Sequence, residues 1–73
     1  MVHNIQKLYD IELSRIRSSG VGVRHFKKYA PKGTYYYHLP KPEIHIEGSP
    51  SKATVSQLNI LIHEHGHARD IRD

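Results

Sequence analysis

The chain has no cysteine. That excludes disulfides as a source of stability and thiolates as metal ligands, so a zinc ion bound here must be held by histidine and carboxylate. Long apolar runs are missing as well. The opening stretch, "MVHNIQKLYDIELSRIRSSG", carries a charge every few residues and has no segment of signal-peptide or membrane-spanning length. A soluble, cytoplasmic protein with no membrane partner is therefore expected. No internal repeat, low-complexity tract or linker divides the sequence, so residues 1–73 read as one small domain. A chain of that size buries only about 60% of its unfolded surface, and a metal, a partner or oligomerisation often supplies the remaining stability.

Acidic residues are missing from one long span. Between Arg15 and Lys32 there is no Asp or Glu, while Arg15, Arg17, Arg24, Lys27, Lys28 and Lys32 all fall within it, and the whole chain carries a formal net charge of +4. Such a segment suits phosphate, nucleic acid or an acidic protein surface. Phe26, Tyr29 and Tyr35 are available there for stacking on bases. A solvated basic face is the plainer reading of the same residues.

The remaining residues are patterned as α+β. Val2, Ile5, Tyr9, Leu13 and Ile16 fall on one helical stripe, with Lys7, Asp10, Ser14 and Arg17 opposite. This predicts an amphipathic N-terminal helix, ended by "SSGVG" with Gly20 or Gly22 as a left-handed cap. "APKG" is a turn signal, and "TYYYHL" predicts a strand from Thr34 to Leu39. In "EIHIEG", Ile44 and Ile46 alternate with Glu43, His45 and Glu47, which predicts a half-exposed strand. Pro40 and Pro42 beside it suggest a sheet edge. The expected fold is thus a helix, a small antiparallel sheet with an exposed edge strand, and a C-terminal helix. Ser49 before Pro50 is the preferred N-cap of that last helix, and Thr54 with Gln57 marks a later alternative. Val55, Leu58, Leu61 and Ile62 are read as its apolar side.

That helix contains the residues with the most chemistry, "HEHGH" at 63–67. Positions four apart on an α-helix lie ~40° apart around the axis, so His63 and His67 point the same way and can meet one metal ion. Glu64 lies ~100° from His63 and ~60° from His67, beside the metal but angled away from ligation. That is where a general base can take a proton from a metal-bound water. His65 is ~200° from His63 and points into the apolar face, where a core histidine bonded to a neighbour is expected.

The stretch "LIHEHGHA" resembles the His-Glu-x-x-His helix of the zincin metallopeptidases, and locally the "HELGH" helices of the small intracellular ImmA/IrrE-type and SprT-like groups. The resemblance covers about thirty residues, from "EIHIEG" through the helix. It implies zinc at His63 and His67, Glu64 as the catalytic base, and a protein or peptide substrate lying along Ile44, His45 and Ile46. In one branch of these enzymes the chain turns sharply after the second histidine and returns a third ligand. Asp73 stands at that position here, with Asp70 at the turn. Asp70 itself, or His45 on the preceding strand with His38 and His25 behind it, are the internal alternatives. A partner chain or an oligomer completing the site is a further one. Tyr35, Tyr36 and Tyr37 are read as packing residues that could also donate to an oxyanion. Against the enzyme reading stands a module in which zinc only stabilises a short chain that binds protein or nucleic acid.

Overall fold

Helix α1 spans Ile5–Ser18, and Asn4 caps it by accepting a 2.9 Å hydrogen bond from the Lys7 N–H. The computed structural model describes residues 4–30 and 32–72, so Val2 of the expected stripe and Asp73 lie outside the described residues. Tyr9, Leu13 and Ile16, spaced by four and three, are the buried face of α1. Gly20 adopts φ +91° just past the helix end, and Val21 N–H reaches back to the Ile16 carbonyl. This satisfies one of the orphan carbonyls that every helix leaves at its C-terminus.

Three strands follow: β1 (Gly22–Phe26), β2 (Gly33–Tyr36) and β3 (Glu43–Glu47), and then helix α2 (Val55–Arg72). The α+β layout is as expected, but the sheet differs in two respects. Its order is β1-β3-β2, with β3 parallel to β1 and antiparallel to β2, so it is mixed rather than antiparallel. The "EIHIEG" strand is therefore the centre of the sheet and not its edge. Pro40 and Pro42 do not interrupt it because both precede its first residue, where no ladder donor is needed. The Pro42 carbonyl instead accepts from Gly22 N–H at 2.9 Å, just ahead of the parallel pairing.

Strand β1 escapes the alternation rule for a visible reason. Its inward residues are Val23 and His25, level with Ile44 and Ile46, and its outward residues are Arg24 and Phe26. One polar residue faces in and one aromatic faces out, so hydropathy does not alternate.

Both helices lie on one face of the sheet, with α1 against β1 and α2 against β2 and β3. Ile44 and Ile46 are fully buried there with Tyr9, Leu13, Ile16, Val21, Leu58, Leu61 and Ala68. Removing each isoleucine side chain from water contributes about 1.5–3 kcal/mol. Helix α2 begins at Val55 rather than near Pro50, because Thr54 is the cap, accepting from Gln57 N–H at 3.1 Å. Its buried side is also rotated from the expected one. Leu58 and Leu61 face the core, but Val55 and Ile62 are 57% and 47% exposed, and their places are taken by Gln57, Glu64 and Ala68. No helix among the described residues is long and apolar enough to cross a membrane.

The seating of α2 depends on a missing side chain. A Cβ at Gly33 would lie 2.4 Å from Ile60 Cγ2 and 3.5 Å from Glu64 Cγ. Gly33 is level with Ile46 on the inner face, so the helix packs directly on β2 backbone at this point. Gly33→Ala is expected to cost about 1–3 kcal/mol through overpacking. Combining it with Ile60→Ala reopens the space, so urea unfolding should find the double variant more stable than the sum of the two single losses predicts.

Candidate metal centre

Helix α2 presents three kinds of surface around its axis. Toward α1 it offers His65, whose Nδ1 is 2.5 Å from Glu12 Oε2, both side chains being largely buried. Toward β2 it offers Ile60 and Glu64, which sit over Gly33. Beyond Glu64, on the flank turned away from α1, are His63 and His67, both exposed. The expectation of a hydrogen-bonded His65 on the packed side is met, and its partner is a carboxylate from the other helix.

His63 and His67 converge. Their Nε2 atoms are 3.0 Å apart, and the rings stand nearly perpendicular with centroids 4.5 Å apart. The contact is a hydrogen bond when one Nε2 carries a proton and the other does not. It is also close to the separation required on a shared ion, since two nitrogens about 2.0–2.1 Å from a tetrahedral zinc lie roughly 3.3 Å from each other. The pair thus offers two imidazole donors near chelating distance on an exposed flank.

Glu64 is adjacent but differently placed. The residue as a whole is only 8% exposed, and among the described residues no group hydrogen-bonds its carboxylate. The helix carries it under its own flank toward β2, so it does not compete with the histidines for an ion. Because no buried side-chain oxygen lacks a partner among the described residues, the Glu64 carboxylate oxygens themselves reach solvent although most of the residue is covered.

The other candidates are scattered by the fold. Ile44 and Ile46 are core residues and cannot line a substrate cleft, since alternation in a central strand sends both under the helices. His45 emerges on the opposite face of the sheet, where its Nε2 is 2.8 Å from Glu43 Oε1. The sheet thus separates it from His63 and His67, and it is not brought to them as a third ligand. His38 is exposed in the loop after β2, against the Tyr37 ring. The turn expected at Asp70 is not made, because α2 continues to Arg72 and leaves Asp70 on exposed helix surface. No group of three His, Cys, Asp or Glu able to hold a metal forms among the described residues. Asp73, the expected third ligand, lies outside them.

A strand is expected at Thr34–Leu39, where β2 spans Gly33–Tyr36, but the sequence does not foretell β1 and points to the wrong strand as the edge that flanks the site. That edge is β2, which has a neighbour on one side only. The signal was Gly33: a glycine beginning a strand-like run often marks close approach of another element, but "APKG" reads first as a turn.

Comparison with protein-family models, curated proteins and solved structures finds no match to this chain.

His25 points inward from β1 and its Nε2 is 2.8 Å from the Tyr9 hydroxyl, so this histidine belongs to the core network rather than to a metal site. Burial holds its pKa below the ordinary value, and the nearby Arg17 charge pushes the same way. Burial pushes the Tyr9 hydroxyl up, partly offset by its hydrogen bond with Gln57 and by Arg17. Both directions favour a Tyr9 O–H donating to a neutral His25. Because the folded pKa of His25 is depressed, the unfolded chain takes up its proton first as pH falls. The contribution of His25 to stability is whole above about pH 6.5 and is lost progressively below it. Urea midpoints measured at pH 7.5 and 5.5 should drop less in His25→Gln than in the wild type.

Proposed function

We propose that this chain is a zinc-dependent hydrolase of peptide bonds working in the cytoplasm, with His63 and His67 as zinc ligands and Glu64 as the base. The observation that carries this reading is the converging Nε2 pair of His63 and His67 at 3.0 Å, with Glu64 next to His63 on the same helix. Zinc bound there supplies a polarised carbonyl and a water whose pKa is lowered to about 7. The chain's residues do the rest. Glu64 takes a proton from the attacking water and delivers it to the leaving nitrogen as the C–N bond breaks. Gly33 to Tyr36, the strand with an unpaired side, can align an extended substrate through backbone hydrogen bonds. This role belongs to β2 in place of the β3 residues first expected.

A second reading is favoured by the two-histidine set among the described residues: a non-catalytic domain in which zinc, completed by Asp73 or by a partner chain, holds a small fold together. The two readings part at Glu64. Glu64→Gln should retain zinc yet lower cleavage of a fluorogenic casein by at least about 100-fold, the usual size of a lost general base. Undiminished cleavage in that variant removes the catalytic assignment. His63→Ala and His67→Ala should each lose zinc, measured by equilibrium dialysis. In the stabilising reading, a chelator lowers the thermal midpoint without any hydrolysis having been present.

A further inference from the structure

The face of the sheet turned away from the helices is not bare. Alternation places Arg24 and Phe26 of β1, Glu43, His45 and Glu47 of β3, and Thr34 and Tyr36 of β2 on that side. The rings form a row across all three strands. His45 lies 5.2 Å from Phe26 and 4.5 Å from Tyr36 between ring centroids, and Tyr29 stacks on Phe26 at 5.3 Å with a 24° tilt. The hydroxyls of Tyr29 and Tyr36 are hydrogen-bonded to each other, which ties the β1 end of the row to the β2 end.

Charge on this face is unbalanced in a particular way. Its two carboxylates are engaged: Glu43 with His45 at 2.8 Å, and Glu47 accepting from the Tyr29 N–H at 2.8 Å. The cations are exposed. Arg24 stands level with His45, and Lys27 and Lys28 follow directly after Phe26. An aromatic surface bordered by free cations suits a ligand that is flat, unstacked and polyanionic.

We propose that this open sheet face binds single-stranded nucleic acid, with bases stacking on Tyr36 and Phe26 about the largely covered His45 ring and phosphates meeting Arg24, Lys27 and Lys28. Three strands span about 10 Å from β1 to β2, which is room for two or three stacked bases. Duplex nucleic acid presents no free base faces to such a row. The surface is separated by the sheet itself from His63, Glu64 and His67, so this inference does not rest on the hydrolase reading.

Fluorescence anisotropy of labelled oligothymidine and oligouridine on the full chain, with chelator present, tests it. Binding is expected tighter than about 100 µM and to weaken with salt, with a log–log slope near −2 for three phosphate contacts on a single strand. Tyr36 is 38% exposed, so Tyr36→Leu should leave the fold intact by circular dichroism while weakening binding roughly tenfold, the size of one lost base stack. Phe26→Leu serves as a second stacking variant, and Glu64→Gln should bind as the wild type does. Three results would overturn the proposal: no binding at that concentration, equal affinity for duplex, or loss on Arg24→Ala/Lys27→Ala/Lys28→Ala with no effect of either stacking variant. The last would indicate diffuse attraction to any polyanion, which equal binding of polyglutamate would demonstrate. A difference between the deoxy and ribo strands would decide which of the two is the ligand.

Discussion

Helix α2 can approach the sheet only because Gly33 offers it nothing but backbone. Ile60 occupies the volume a side chain would fill, and Glu64 lies in ordinary contact with the same spot, so that most of the residue is covered beneath the flank of the helix. This one close contact sets the rotation of α2 about its axis. With Ile60 and Glu64 held over β2, the 3.6-residue repeat has no freedom left: Leu58, Leu61 and Ala68 meet the core, His65 meets α1, and His63 and His67 emerge together on the far flank.

The small core is supported by polar links that cross between elements. Tyr9 of α1 reaches His25 of β1, His65 of α2 reaches Glu12 of α1, and Gln6 of α1 accepts from the Ala53 N–H in the loop before α2 at 2.8 Å. Each joins parts far apart in sequence, and each has geometry that apolar contact lacks. A short chain gains little from area alone, so directional contacts of this kind fix which packing of two helices on three strands is adopted. They also put His25 inside the fold with its pKa lowered by burial, which ties stability to pH.

Covering only one side of the sheet has a second consequence. The inner face is spent on the core, whereas the outer face keeps its aromatic row and its cations available to solvent. The putting of His45 and the histidine pair on opposite sides follows from nothing more than the alternation of a strand and the position of the helices. One chain therefore carries two chemically distinct surfaces, one rich in imidazole beside a carboxylate and the other rich in rings beside cations.

Local pattern alone determined much of this. The stripe Tyr9, Leu13 and Ile16 specifies the buried face of α1, the alternation in "EIHIEG" specifies which residues of β3 face inward, and the four-residue spacing of His63 and His67 makes them converge wherever the helix lies. These features depend on backbone periods of 3.6 and 2, which residues within a few positions of one another fully express. Strand order, the edge role of β2, the rotation that exposes Val55 and Ile62, and the separation of His45 from the histidine pair were decided by the tertiary structure. They depend on which distant backbones can approach, and Gly33 against Ile60 is a contact between residues 27 apart that no local pattern encodes.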